Sequence, residues 1–386
     1  MTHINQGHRL ALMGRKLGHT GYLDRRWRAH VHRIVIHRPG SYSALEYLES
    51  PDPQPGPGEL VIETRACGLN YADGIIRMGL YESAKKLHGY PITPGFEVAG
   101  RVSAVGEGVD AFGIGDEVIG LTLFHGYASH LKIGVDGVFA RPENLSMAEA
   151  ATLPTVFLTA WWMIHRQLHP RPGETWLVHS AAGGVGSAIL QLGKLAGART
   201  IGVVGGGHKV DHAREMGADE VIDKSSQGLW PEVERLAPGG IDAVFDANGV
   251  ETLKASYDHL APTGRLVVYG FHTMLPKSGK LNWPKLALDW LRTPRFNPLN
   301  MTRDNKSVLA ANLSFLQSHA PSLREGMLWL LERFERGDLR PLPVETWRLA
   351  DAGKAQQRIE SGRTIGKLAL IPEGAKTPDN RGQDHE

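Results

Sequence analysis

The sequence predicts an α/β protein in two parts, a β-rich and mostly antiparallel domain followed by a doubly wound parallel sheet. Three observations predict it. Over residues 31–153, short runs rich in β-branched residues are separated by Gly, Pro and Asp turns. From Pro154 the rhythm changes to short apolar runs alternating with helix-patterned segments, the pattern of a parallel sheet covered on both faces. Between the first of those runs and the first of those helices lies a glycine turn, Ala181-Ala-Gly-Gly-Val-Gly186.

The elements follow in order. Residues 1–30 are a basic N-terminal extension; as far as Arg33 the chain carries six Arg and one Lys against one Asp, with five His and no sustained apolar period. It reads as a solvated arm, the functional alternatives being a targeting segment or a polyanion contact. In the β-rich domain, 59–65, 96–105 and 117–123 are strands, and 51–58 is a Pro/Gly-rich connector. The second domain, 154–318, has strands at 176–179, 200–204, 220–222, 243–246 and 266–269, with a closing strand at 308–313. Helical patterning fills 186–195, 208–216 and 251–260 between them. Residues 319–373 return to the first domain through a helix at 323–336 and a strand at 365–371, and 374–386 read as a disordered tail.

Composition excludes several classes. In 386 residues, 43 Lys+Arg against 41 Asp+Glu leave a net charge of +2, so no global basic field for nucleic acid exists. The single cysteine, Cys67, forbids an intrachain disulfide, a four-cysteine zinc site and a CxxC redox pair, and fits a reducing, cytoplasmic setting. The stretch 174–194 is broken by Gly183, Gly184 and Gly186, and 150–164 carries Pro154, so neither reads as a membrane span.

The glycine turn is the informative segment. In a dinucleotide fold, such a turn lets backbone N–H groups approach a pyrophosphate held on a helix N-terminus. Ala181 takes the first glycine position of the motif, and the cradle is Ala182, Gly183, Gly184, Val185 and Gly186. About 20 residues further on, an NAD site places Asp or Glu on the ribose. Here stand Gly205-Gly206-Gly207, then His208 and Lys209, with no acid before Asp211. A missing carboxylate and an arriving cation favour the 2′-phosphate of NADPH, with Lys224 as a second cation.

Four motifs then carry a family resemblance: Arg65-Ala-Cys-Gly-Leu-Asn-Tyr-Ala-Asp73, Pro94-Gly-Phe-Glu-Val-Ala-Gly100, Val178-His-Ser-Ala-Ala-Gly-Gly-Val-Gly186 and Gly366-Lys-Leu-Ala-Leu370. Over about 31–372 the chain resembles the zinc-independent medium-chain dehydrogenase/reductases, in their quinone oxidoreductase branch. Arg295-Phe-Asn-Pro-Leu-Asn-Met301 and Asn305-Lys-Ser-Val-Leu309 resemble its VAT-1-like subgroup. The resemblance implies a GroES-like catalytic domain beside a Rossmann domain, with the substrate in the cleft between them and a homodimer formed through Rossmann sheet edges. Where zinc-dependent relatives place a cysteine and a histidine ligand, this chain has Asn70 and Phe96, so no metal is expected there. His165 and His169 are spaced to share a helix face, but no third ligand is in view.

The resemblance further implies that Asn70 and Tyr81 donate hydrogen bonds in the nicotinamide cleft, with Tyr71 a weaker candidate. It carries cofactor contacts onto Thr159, Asn248, Gly270 and Phe271. Where the family's cleft often has a basic residue after the last Rossmann strand, this chain has Ala310-Ala-Asn-Leu313. Quinones and α,β-unsaturated carbonyls delocalise the charge that hydride addition creates, so hydrogen bonds can replace a Lewis acid. The expected function is NADPH-dependent, metal-free hydride transfer to such an acceptor. The alternatives are a catalytically weak, NADPH-binding partner of lipid, membrane or RNA, with the basic arm as contact, and a metal-dependent alcohol dehydrogenase.

Overall fold

The computed structural model describes residues 31–274 and 282–375. The basic extension over 1–30 and the expected tail beyond residue 375 lie outside them.

A hairpin, β1 (Val31–Val35) with β2 (Glu46–Ser50), precedes the main sheet of the first half. That sheet is built around β3 (Glu59–Leu69), the longest strand, which pairs antiparallel with β4 (Glu97–Val105). Between them run two short helices, α1 (Tyr71–Arg77) and α2 (Glu82–Leu87). β5 (Glu117–Leu121), β6 (His130–Gly134) and β7 (Val138–Ala140) complete the antiparallel part. Leu60, Ile62, Val98, Val118 and Leu131 point into one core because alternate residues of each strand face the same side. A capping box closes the start of α3 (Met147–Thr152): Ser146 accepts from the Glu149 N–H and Glu149 reaches back.

The chain then enters the second half through α4 (Pro154–Trp161) and a π-helical turn, Trp162–Leu168. The βα alternation follows as expected: β8 (Thr175–Val178), α5 (Gly184–Leu195), β9 (Arg199–Val204), α6 (Val210–Glu215), β10 (Glu220–Asp223) and α7 (Leu229–Leu236). After these come β11 (Ile241–Asp246), α8 (Leu253–Asp258) and β12 (Leu260–Val268). Two further helices, α9 (Trp283–Arg292) and α10 (Pro298–Asp304), precede β13 (Ser307–Ala310). All six strands are parallel in the order β10-β9-β8-β11-β12-β13, so the order reverses between β8 and β11. Trp176 and Phe245 pack on one face and Leu177 and Val244 on the other, as strands covered on both sides require.

α11 (Ala320–Arg336) lies on α4, with Phe334 edge-on to Phe157 at 4.9 Å. β14 (Val344–Arg348), α12 (Ala352–Glu360) and β15 (Lys367–Ile371) then rejoin the first sheet, where β15 sits between β14 and β3. Three differences from the sequence expectation fall in the second half, the first being that β12 begins at Leu260 rather than at 266, so that α8 ends at Asp258. The closing strand ends at Ala310, because Asn312 caps a 3₁₀ turn by accepting from the Ser314 N–H. The segment expected as helix from 208 starts as a 3₁₀ turn over Gly207–Lys209. Among the described residues no helix is long and apolar enough to cross a membrane.

Helix α9 packs the wrong way round for a globular surface. Its one buried residue is Asp289, which receives the Lys285 ammonium, while Trp283, Leu288, Trp290 and Leu291 are all more than half exposed.

Candidate active site

The site is built where β8 and β11 end. After Val178 the chain leaves the sheet, and Ser180 adopts a left-handed backbone with φ 54°. Gly183 then caps α5, whose first turn leaves its N–H groups without helical partners. A Cβ on Gly186 would lie 2.4 Å from the Ser180 carbonyl oxygen, so only glycine lets helix and strand end approach this closely. Ala182 and Gly183 are held from the other half of the molecule: the Gly366 N–H donates to the Ala182 carbonyl over 3.1 Å. Val156, with Cγ1 2.7 Å from the side-chain position of Gly184, and the stem of Lys367 at 3.0 Å leave no room for a side chain there.

At the end of β9 the three glycines leave an open surface, and Gly205 has nothing nearer its side-chain position than the Lys224 stem, at 4.0 Å. Lys209 donates to the Gly362 carbonyl at 2.7 Å. Burial, followed by the charges of Arg358 and Lys224, lowers its ammonium pKa. Asp223, whose Oδ2 lies 3.5 Å from the side-chain position of Gly207, is tied into its own turn by Ser225 and Ser226. Crowded cations beside an open glycine surface fit a 2′-phosphate, and the α5 N-terminus fits a pyrophosphate.

Asn70 caps α1 and is 6% exposed. Its Nδ2 donates to Glu97 Oε1 at 2.8 Å, and its Oδ1 accepts from Lys367 Nζ at 2.6 Å. Lys367 also donates to the Leu69 carbonyl at 2.9 Å and Glu97 Oε1 at 3.0 Å, while Glu97 Oε2 accepts from the Thr155 N–H at 2.7 Å. Behind this network the wholly buried Asp73 accepts from the Asn70 N–H, the Gly95 N–H and the Tyr127 hydroxyl. Burial raises its carboxyl to about 7.

Tyr81 is half-buried against Phe96, and its hydroxyl shares a 2.6 Å hydrogen bond with Ser314 Oγ. Burial raises its pKa, so the phenol keeps its proton. Tyr71 donates to the His272 carbonyl at 3.2 Å. Asn248 is buried at the β11 end, where Asp246 Oδ1 accepts from its backbone N–H and its Oδ1 accepts from Ser180 Oγ. Gly270 and Phe271 follow β12, with Phe271 over Gly249 and 45% exposed. Thr159 donates to the Thr155 carbonyl one turn back in α4. The fold thus gathers the glycine turn, Asn248 and Ser180 at the strand ends, and Tyr71 and Tyr81 each bond to the Rossmann half.

Three residues carry roles the sequence reading did not give them. Glu97 and Lys367 lie inside quoted motifs, but only the fold brings residues so distant in sequence into contact. Ser314 has no sequence signal at all. The two spaced histidines do not form a pair on one face. The π turn changes the helical repeat, His165 is held between Trp161 and Trp329, and His169 ends the turn at φ 50°. Cys67 is buried with Sγ toward the Ala128 carbonyl, and burial raises its thiol to about 12, as a packing residue should. Among the described residues no three or more His, Cys, Asp or Glu are grouped to hold a metal ion.

A dinucleotide turn at a sheet switch point, beside a β-rich domain that closes over it, defines a two-domain oxidoreductase. Comparison with known proteins specifies the family. An alcohol dehydrogenase GroES-like domain matches residues 56–160, and a zinc-binding dehydrogenase domain matches residues 184–296. The chain is 33% identical to the quinone oxidoreductase of Pseudomonas aeruginosa, covering 88% of this chain and 99% of that one. It is 32% identical to the synaptic vesicle membrane protein VAT-1 homolog of Danio rerio, over 83% of this chain and 65% of that protein's length. Escherichia coli quinone oxidoreductase, solved in complex with NADPH, superposes with a TM-score of 0.76 at 28% identity, covering 88% of this chain and 100% of that one. The chain belongs to the medium-chain dehydrogenase/reductase family, in the branch that holds the quinone oxidoreductases and the VAT-1 homologues.

Proposed function

We propose that this protein is an NADPH-dependent, zinc-independent oxidoreductase that delivers hydride to a quinone or an α,β-unsaturated carbonyl. The observation that carries the reading is the pairing of the glycine turn with Lys209 and Lys224 where an NAD site would hold an acid. The E. coli relative solved with NADPH supports it. Ala182 to Gly186 would receive the pyrophosphate, and Thr159, Asn248, Gly270 and Phe271 would line the path to the nicotinamide.

NADPH, when bound, supplies the hydride. Asn70 spends one Nδ2 N–H on Glu97 and has a second to give to the acceptor's oxygen, where negative charge develops. Tyr81 holds a proton at Oη, and Ser314 Oγ beside it can replace that proton once it has moved. Phe96 and Leu123 keep this end of the cleft apolar. Phe96 offers no lone pair where a zinc-dependent relative needs a ligand, and the Asn70 oxygen is committed to an ammonium. The same reading takes the protein to be a cytoplasmic homodimer, supported by the outer edge strand β13.

The test is consumption of NADPH and of NADH, followed by absorbance, against a panel of quinones and enones. Turnover with NADPH preferred supports the reading, and failure to bind either nucleotide overturns it.

A second reading is favoured by α9. Its outward Trp283, Trp290 and Leu291 compose an apolar face suited to a lipid surface, with Lys285 turned away onto Asp289, and the basic sequence of residues 1–30 would supply the contact to anionic headgroups. Under this reading NADPH binds, turnover stays at background, and the protein cosediments with phosphatidylserine vesicles in a salt-dependent way.

A further inference from the structure

The Asn70 amide is gripped from both sides by groups with opposite hydrogen-bonding character. An ammonium can only donate and a carboxylate can only accept, so Lys367 must face Oδ1 and Glu97 must face Nδ2. The flip state of this amide is therefore dictated by its partners. All three side chains are buried, with Glu97 0% and Lys367 3% exposed, so water does not compete for the contacts. The Leu69 carbonyl takes a third Lys367 proton, and the Thr155 N–H holds the far oxygen of Glu97. One Asn70 N–H is thus left to point at an acceptor.

Lys367 also has a backbone address. It follows Gly366, whose N–H holds the Ala182 carbonyl, and its stem passes beneath Gly184. The residue that grips the amide thereby shares its anchorage with the glycine turn.

We propose that Lys367 is the positioning residue of this site: its ammonium fixes the Asn70 amide with the free N–H turned into the cleft. The proposal rests on the reading of Asn70 as the donor to the acceptor's oxygen. Lys367 itself touches neither coenzyme nor acceptor in this role.

Removing Lys367 alone would strand the Glu97 charge in the interior and endanger folding. The test therefore uses Lys367→Met combined with Glu97→Gln, compared with Lys367→Gln combined with Glu97→Gln, which keeps a neutral donor toward Oδ1. In the Met variant kcat should fall about 10- to 100-fold, below the ~10²–10³ that follows loss of a donor itself. The acceptor KM and the NADPH Kd should each stay within about threefold, and the Gln variant should recover most of the loss.

The second readout needs no turnover. In protein labelled with ¹⁵N-asparagine, with Asn70→Ser used to assign the signal, the two Nδ2 protons of wild type should be resolved and slow to exchange. In the Met variant they should broaden and exchange faster. Unchanged amide signals in the Met variant, or an unchanged kcat in an enzyme that turns over, would overturn the proposal. If wild type reduces no acceptor, the functional reading fails, while the amide signals still decide whether Lys367 positions Asn70.

Discussion

The backbone N–H of Gly366 reaches the Ala182 carbonyl, so the last strand of the catalytic half is fastened to the glycine turn of the Rossmann half. The bond forms because Gly366 takes a left-handed φ of 66° and has no side chain to strike the Pro343 carbonyl, which would lie 2.3 Å from its Cβ. The glycine turn and the Asn70 amide, which the neighbouring Lys367 grips, thereby share one junction.

Charge at the 2′-phosphate position should decide nucleotide choice. Lys209→Glu replaces a crowded cation with an anion and should weaken NADPH at least tenfold more than NADH. Fluorescence titration with both nucleotides measures it, and equal losses would sink the assignment of Lys209.

The Tyr81 hydroxyl should matter through its pairing with Ser314. Tyr81→Phe should lower kcat about 10- to 100-fold, at the low end of general-acid effects, with thermal stability little changed. Ser314→Ala should lower it less, since bulk water can take over the relay. Steady-state kinetics on both variants tests this, and a full rate in Tyr81→Phe would leave solvent as the only proton source.

Asp73 should make stability depend on pH in a stated direction. Burial lifts its folded carboxyl from an ordinary 3.8 to about 7, although Asn70, Tyr127 and Lys367 pull it down. The folded state therefore holds this proton more tightly than the unfolded chain. Its stabilising contribution is full below the unfolded value and is lost as pH rises through about 7. Melting temperatures across that window should show this component, and Asp73→Asn should flatten it whatever its absolute stability.

The glycines should separate by role. Gly186→Ala drives a methyl group into the Ser180 carbonyl and should cost about 1–3 kcal/mol in urea unfolding. Gly205→Ala meets open space and should leave stability within ~0.5 kcal/mol.

Legibility in the sequence followed the range of the forces involved. Strands β8, β9 and β11 announce themselves because burial on both faces demands unbroken apolar runs, and the Gly183–Gly186 turn because its neighbours come too close for a side chain at Gly184 and Gly186. The spacing of His165 and His169 misleads, since a π turn has another repeat from the one that spacing assumes. Lys367 reads as an ordinary lysine at a strand start, because its partners Asn70 and Glu97 arrive from about 300 residues away in sequence. Ser314 meets Tyr81 only because the two halves close on each other. The outward Trp290 of α9 breaks the rule that apolar helix faces turn inward, a rule that looks only within one chain.

The place of β15 between β14 and β3 has a bearing on biosynthesis. The catalytic half is begun first on the ribosome, yet an interior strand of its sheet emerges only after the whole nucleotide domain has been translated. The early strands must therefore wait with an open edge at β3, the interval in which a chaperone would find its client.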